Sequence, residues 1–300
     1  MANNSGRSMS IVAEQERLIA RDARRERDRL LTLILPALTL VAILLLLPLG
    51  WLTWQSFVGD SGLTLEHYVR VFEDSTYSKS FLLTFEISAM VTGLAILLGY
   101  PLSYMLCQLP PRWAAFGLAL VIVPFWTSLL VRTYAWMVLL QRRGLINKTL
   151  IDLGVIDQPL AFVHNITGTT IGMLHIMLPF MVLPLYATMR AIDPELMRAA
   201  ANLGGNPRYA FWRVFFPLSR PGLLAGTTLV FVICLGFYVT PELLGGGRVV
   251  MVSMLVQRNV ELYFQWGAAS SVAVILLIIV FAAFAFLNRF LAVERVFGAH

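Results

Sequence analysis

Long apolar runs separated by short polar segments account for most of the chain. Six of these runs are longer than the ~20 residues that an α-helix needs to cross ~30 Å of hydrocarbon. They cover residues 31–54, 81–107, 114–140, 166–189, 222–244 and 266–290. Backbone N–H and C=O groups in a bilayer must be paired within the protein, and helices pair them inside each run. The pattern therefore predicts an all-α integral membrane protein with six transmembrane helices.

A polar segment between the fourth and fifth runs, residues 190–221, carries the start and stop signals of short helices. Asp193 is a good N-cap, Pro194 suits the first helical position, and Gly204 suits the end of a helix. We predict a helix of about ten residues between these signals. One of its faces carries the side chains of Leu196, Ala199, Ala200 and Leu203. A shallow apolar face of this kind suits the groove of another protein.

The same segment predicts a second helix directly after the first. Asn206 and Pro207 repeat the combination of an N-cap and a first-turn proline. The second helix is expected to end at Pro217 and Pro221, because proline lacks the N–H that a helix interior requires. The segment is thus predicted to form a helix–turn–helix before the fifth apolar run.

Composition assigns the chain to a membrane, and charge predicts its orientation. The 300 residues are 58% hydrophobic and only 13% charged, which is too apolar for an ordinary soluble domain. Of the 23 Lys and Arg residues, 15 lie in residues 1–30, 108–113 and 190–221 and after residue 288. This excess predicts that both termini and the helix–turn–helix face the cytoplasm. Topology therefore explains the net charge of +6, and we expect no nucleic-acid partner.

The helix–turn–helix resembles the cytoplasmic loop of permease subunits in binding-protein-dependent ABC importers. That loop reads Glu-Ala-Ala, three residues and Gly, followed by an apolar stretch that ends in a Leu-Pro-like pair. Ala199, Ala200, Gly204 and Pro217 stand at matching positions, whereas Arg198 replaces the Glu of the family pattern. In the family, this loop forms the coupling helices that dock on the ATPase subunit.

The resemblance covers residues 31–290 and is greatest to the spermidine/putrescine branch of the family. The segments that carry this closer likeness are PFWTSLLVRTYAW, RRGLINKTL, LPFMVLPLYA and PELLGGG. The resemblance implies a type I importer fold, with a six-helix permease domain at 31–290 and cytoplasmic tails at 1–30 and 291–300. It also implies a multi-pass protein of the bacterial inner membrane.

The resemblance also implies partners and a class of substrate. The implied partners are two ATPase subunits that bind ATP and Mg²⁺, a second permease chain, a periplasmic substrate-binding protein and the surrounding lipid. The implied substrate is a polyamine or a related amine. The residues carried over as ATPase-coupling are Asp193, Pro194, Glu195, Leu196, Arg198, Ala199, Ala200, Leu203, Gly204 and Pro217.

The sequence lacks a phosphate-binding loop of its own. Its two lysines, Lys79 and Lys148, both lack the Gly-x-x-x-x-Gly-Lys spacing of such loops. We therefore expect no enzyme activity, no cofactor and no metal site in this chain, and an ATPase as a separate subunit. The alternative is a stand-alone secondary transporter or channel, which would move solute with no ATPase present. Ionisable residues deep in the spans, which ion coupling usually needs, are scarce.

A cationic substrate calls for carboxylates and aromatic faces along its path, because both attract ammonium groups. The candidates are Glu86, Trp126, Tyr134, Trp136, Tyr238 and Glu242. Interfacial aromatic belts and helix packing also explain these residues, so both interpretations stay open. The glycines at 245–247 form either an ordinary turn or a loop that hinges or receives a docked protein. Nothing in the spacing selects the substrate or identifies the second permease.

Overall fold

The structure is a computed structural model that describes residues 32, 34–59 and 62–297, so the predicted tail at 1–30 lies outside the described residues. The chain divides into two compact units, Met1–Gln55 and Ser56–His300. The described span of the first unit is helix α1 (Ile34–Gln55), which corresponds to the predicted run 31–54. Most of its large apolar side chains are exposed, as expected of a helix that lies in hydrocarbon.

The second unit begins with a short hairpin and continues as helices. The hairpin strands, β1 (Val58–Gly59) and β2 (Gly62–Leu63), pair antiparallel. The helices are α2 (Glu66–Glu73), α3 (Ser75–Gln108), α4 (Pro111–Ile122), α5 (Leu129–Leu140), α6 (Leu145–Asp152), α7 (Ile166–Arg190), α8 (Pro194–Asn202), α9 (Pro207–Ala210), α10 (Phe216–Leu235), α11 (Val239–Gly245), α12 (Val252–Glu261) and α13 (Trp266–Phe297). A π-helical turn, Phe211–Phe215, joins α9 to α10.

The core of the second unit lies where α3, α7 and α10 pack against one another. Its fully buried side chains include Val91, Met177, Met181, Val230 and Cys234. Small residues bring the helices close together, since a Cβ at Gly226 would lie only 2.8 Å from the Met181 Sδ atom. Close backbone approach of this kind is how membrane helices gain packing energy in the absence of water.

Most of the predicted apolar runs are long helices in the structure. Runs 81–107, 166–189 and 266–290 correspond to α3, α7 and α13, although α13 continues to Phe297. The described residues contain five helices that are long and apolar enough to span a membrane, or six if one bent pair is counted as a span. The all-α membrane fold is therefore confirmed.

The third predicted run, residues 114–140, is not one continuous helix. A 3₁₀ turn at Val123–Trp126 and two residues outside helical geometry, Thr127 and Ser128, separate α4 from α5. The flanking helices are bent by 100° at this break. Pro124 lies in the turn and removes a backbone donor where the helix would otherwise continue. The prediction of a continuous third span was therefore wrong.

The prediction that Pro217 and Pro221 end a helix was also wrong. The second helix of the helix–turn–helix continues without interruption from Pro207 to Leu235, and it is itself the fifth span. The π turn widens the backbone just before Pro217, where the proline ring would otherwise clash with the preceding turn. The helix that begins in the polar segment thus continues directly into an apolar span.

The fifth span also ends earlier than residue 244, where the apolar run ends. Gly236 caps α10, and the chain leaves helical geometry before α11 begins at Val239. The apolar run 222–244 therefore contains most of one helix and all but the last residue of a short second one.

The buried side chain of Asn147 connects the two ends of the segment between α5 and α7 by hydrogen bonds. The Asn147 side chain donates hydrogen bonds to the Gln141 and Leu160 carbonyls, both at 3.0 Å. It also accepts a hydrogen bond from the Leu160 N–H at 2.8 Å. Because Asn147 is fully buried, water cannot replace these bonds without opening the loop.

We expect Asn147→Leu to loosen this loop while the membrane spans persist. The substitution leaves the Leu160 N–H and two carbonyls without their partner, at a cost of ~2 kcal/mol. Local opening should then raise hydrogen exchange of residues 153–160 on the order of tenfold, as measured by mass spectrometry. Lys148→Leu, which adds the same side chain at the neighbouring exposed position, is the control. Equal exchange in the two variants would contradict the expectation.

Candidate functional site: a cleft in the helix–turn–helix

The first helix of the helix–turn–helix begins with the cap that the sequence predicts. The Asp193 carboxylate accepts a hydrogen bond from the Glu195 N–H at 2.9 Å, and Pro194 lies in the first turn. The carboxylate satisfies a free donor and lies at the positive end of the helix dipole. Helix α8 ends at Asn202 after nine residues, so the predicted first helix is confirmed.

Gly204 ends this helix in a left-handed conformation, with φ of 83°. Its N–H donates to the Ala201 carbonyl at 2.9 Å, and the Gly205 N–H donates to the Ala200 carbonyl at 3.0 Å. This pair of bonds is a Schellman motif, which satisfies carbonyls that have no partner within the helix. The motif fixes the direction in which the chain turns toward α9.

An open cleft of ≈ 710 Å³ lies between the two helices of the helix–turn–helix, and we call it the coupling cleft. Its lining residues are Leu196, Ala199, Ala200, Leu203, Gly204, Gly205, Asn206, Tyr209, Arg213 and Val214. Leu203, the most exposed of its apolar side chains, is 89% accessible. Leu196, which also lines the cleft, is 45% exposed, and contiguous exposed apolar surface is typical of a surface that another protein covers.

Five of the predicted coupling residues line the cleft and form its first wall, which consists of α8 and the turn after it. A second wall lies opposite. The wall consists of Tyr209, Arg213 and Val214, which the sequence analysis missed. Asn206 starts this wall as an N-cap, because its side chain accepts from the Tyr209 N–H at 2.7 Å. The spacing of Tyr209 and Arg213, four residues apart, was the available signal that both lie on one helical face.

An aromatic cluster joins the second wall to the membrane helix α3. The ring of Tyr104 meets Phe211 and Phe215 edge to face, with centroid distances of 5.4 and 5.0 Å. One turn away, the Tyr100 hydroxyl lies 2.8 Å from the Ser219 hydroxyl. Aromatic rings in such contacts resist relative movement because many atoms pack at once. The coupling cleft is thus attached to α3 as well as to α10.

Arg198 lies outside the residues that line the cleft. Its guanidinium forms an ion pair with the Glu195 carboxylate at 2.6 Å, and the two side chains are 72% and 68% exposed. An exposed pair of this kind contributes about 0–1 kcal/mol, so it shapes the charge of the surface more than it stabilises α8. Pro217 also lies outside the cleft, in the first turn of α10.

The six candidate pathway residues do not form one cluster. Glu86, Trp126 and Tyr134 are exposed, with Trp126 at 84%. The remaining three are partly buried: Trp136 on α5, Tyr238 before α11 and Glu242 in its first turn. The described residues contain no side-chain hydrogen bond or ring contact that joins any two of the six. Their roles therefore stay predictions.

Several polar atoms near these residues are buried without a partner in the described part of the chain. They are Nε and Nη1 of Arg132, Nδ1 of His175 and Oε2 of Glu242. The ring of His175 packs against Trp136 with centroids 5.6 Å apart, so α5 and α7 meet at this point. Buried polar atoms are usually hydrogen-bonded, and unpaired ones in spans mark candidates for solute or water contact.

The fold and the site define a helical membrane protein with an open cleft on the polar segment between two of its spans. The chain belongs to the family of binding-protein-dependent transport system inner membrane components, whose model matches residues 30–296.

Curated relatives cover most of the chain. The spermidine/putrescine transport system permease protein PotB of Haemophilus influenzae is 32% identical over 239 residues, which are 77% of this chain and 83% of that protein. The inner membrane ABC transporter permease protein YdcU of Escherichia coli is 31% identical over 258 residues, 81% of this chain and 82% of that protein. The putative 2-aminoethylphosphonate permease PhnU of Salmonella typhimurium is 28% identical over 249 residues, 82% of this chain and 86% of that protein.

Solved structures share the fold at lower identity. A bacterial ABC transporter for the acidic polysaccharide alginate matches 92% of this chain and 98% of its own, with a TM-score of 0.67 and 16% identity. The MetNI methionine ABC transporter matches 72% of this chain and 95% of its own, with a TM-score of 0.54 and 15% identity. At such identities the likeness establishes the fold alone.

Proposed function

We propose that this chain forms half of the membrane pathway of an ATP-driven importer for a small amine. The coupling cleft receives an ATPase subunit in the cytoplasm, where both termini of the chain also lie. ATP and Mg²⁺ bind to that separate subunit. A periplasmic binding protein delivers the solute to the opposite face of the membrane.

The open coupling cleft is the observation that carries this function. Leu203 is 89% exposed and Leu196 is 45% exposed, although both lie in a segment otherwise rich in polar residues. Burying a leucine side chain contributes about 1.5–3 kcal/mol, so a docked protein gains free energy by filling the cleft. A secondary transporter or channel would need no such surface on its connecting segment.

The attachment of the cleft to the spans suggests how ATP hydrolysis moves the pathway. The second wall of the cleft is the beginning of the Pro207–Leu235 helix, which crosses the membrane. A docked subunit that shifts this wall therefore shifts α10, and the aromatic cluster passes the shift to α3. Closure of the ATPases on ATP then opens the pathway outward, and hydrolysis returns it inward.

Two ATPase subunits and a second, similar permease chain complete the proposed assembly. In the most apolar 18-residue segment of α3, only 33% of the residues are buried within the chain. The corresponding share for α13 is 28%. The rest of this apolar surface is available to lipid and to the second permease.

A polyamine is the substrate that we propose first. PotB relatives are named as spermidine/putrescine permeases. Glu242 has a buried carboxylate oxygen without a partner in the described structure, and Tyr238 is the N-cap of the helix that carries Glu242. A carboxylate beside an aromatic ring attracts ammonium groups. The PhnU relative is named as a putative 2-aminoethylphosphonate permease, so an aminophosphonate is the competing substrate.

Purification of the chain from native membranes in mild detergent tests the proposed assembly. We expect an ATPase and a second permease to remain bound, and proteoliposomes of this complex to accumulate spermidine only with ATP inside and binding protein outside. 2-Aminoethylphosphonate, tested in parallel, separates the two substrates. A chain that purifies alone and transports solute without ATP would replace the importer by a secondary transporter.

A further inference from the structure

A cationic cleft lies at the end of α7 opposite the coupling cleft. It consists of two adjoining cavities of ≈ 340 and ≈ 370 Å³ that share Arg142, Ala161, Val163 and His164. The second cavity adds Gly246 and Arg248. Residues 161–164 precede α7, whereas the coupling cleft follows it, and the 25 residues of α7 extend about 37 Å. The two clefts therefore open on opposite sides of the membrane.

Two exposed arginines give this cleft its charge. Arg142 and Arg248 both line the second cavity, and neither has an ion-pair or hydrogen-bond partner for its side chain within the described residues. No Asp or Glu is among the residues that line either cavity. Met137, Phe162 and Val163 supply apolar walls, which lower the local dielectric and strengthen the attraction of an anion.

The backbone holds the two sides of the cleft in fixed positions. The His164 N–H donates to the Leu244 carbonyl at 2.7 Å, which ties the segment before α7 to the end of α11. His164 and Gly246 both have positive φ, of 62° and 55°. A Cβ at Gly246 would collide with the His164 ring. A non-glycine residue in this conformation is strained, and such strain is often retained where a surface is used for binding.

We propose, on the basis of the function proposed above, that this cationic cleft is the docking site for an acidic segment of the periplasmic binding protein. Carboxylates of that segment pair with Arg142 and Arg248 when the loaded binding protein reaches the membrane. Guanidinium groups bind carboxylates through paired hydrogen bonds, which fixes the orientation of the docked protein. The charge also accelerates the encounter, because opposite potentials steer diffusing proteins together.

The test uses the complete importer, with its second permease and ATPase subunits, in nanodiscs at physiological salt. Loaded binding protein is titrated, and the half-saturating concentration for stimulation of ATP hydrolysis is measured. We expect Arg142→Glu with Arg248→Glu to raise this concentration at least about tenfold. Arg143→Glu is the matched control, because Arg143 is exposed and adjacent to Arg142 but lies outside the lining of the cleft.

Several outcomes would overturn the proposed docking site. One is a half-saturating concentration within twofold of wild type for the double variant, and another is an equal effect of Arg143→Glu. If the double variant does not assemble, wild-type complex is titrated from 50 to 300 mM salt. The half-saturating concentration must then rise with salt, and a constant value also overturns the docking site. Loss of the ATPase during purification of the wild-type complex would instead contradict the proposed importer function.

Discussion

Gly204→Val should release the ATPase subunit from the purified complex and reduce ATP-dependent uptake at least about tenfold. Gly204 has a φ of 83°, which a β-branched residue adopts only at a cost of about 1–3 kcal/mol. The Schellman motif then opens, and the two walls of the coupling cleft lose their relative orientation. Co-purification of the ATPase and uptake in proteoliposomes measure both effects.

Gly154→Val is the matched control for this substitution. Gly154 has a φ of 69°, and a Cβ at either glycine would meet no atom within 4 Å. The two variants therefore carry similar backbone strain, but Gly154 lies in the loop between α6 and α7. Gly204→Asn should be mild, because asparagine tolerates left-handed geometry better than valine does. Normal ATPase retention and uptake in Gly204→Val would contradict a coupling role for this turn.

Leu203→Glu should weaken the association with the ATPase on the order of 100-fold. The substitution puts a charge at the most exposed apolar position of the coupling cleft, where docking would remove it from water. Burying an unpaired carboxylate costs several kcal/mol unless its pKa shifts or a cation pairs with it. Binding of the purified ATPase to the permease in nanodiscs, measured as a Kd, gives the result directly.

Leu153→Glu provides the comparison for Leu203→Glu. Leu153 is 71% exposed and follows α6, so the same charge is added to an exposed leucine away from the coupling cleft. Its Kd for the ATPase should stay within twofold of wild type. If Leu203→Glu binds as tightly as wild type, the contact is made through another face of α8, such as that of Glu195 and Arg198.

Local signals predicted the first half of the helix–turn–helix correctly. Asp193, Pro194 and Gly204 act on backbone groups within four residues of themselves, so the sequence alone contains the information needed to locate α8. The same signals gave a wrong end for the second helix. Pro217 ordinarily ends a helix, and the π turn that accommodates it depends on the packing of Phe211 and Phe215 against Tyr104.

The break in the third span is a similar case. Hydropathy averages over many residues, and the run 114–140 is apolar throughout, so the pattern does not detect a 100° bend. Predicting the two clefts from the sequence would require contacts between residues that lie still farther apart in the chain. The cationic cleft combines Arg142, His164 and Arg248, which lie on three segments far apart in the chain.

The sequence by itself determined the membrane class, most of the spans, the capped helix α8 and the likeness to importer permeases. These features depend on apolar content and on contacts between near neighbours. The tertiary structure alone decided that α8 forms one wall of an open cleft and that the other wall of this cleft continues into a span. It also decided that Arg142 and Arg248 line a second cleft near the opposite end of α7. Such features depend on which segments, far apart in the chain, pack together. Hydropathy and local helix caps do not predict that packing.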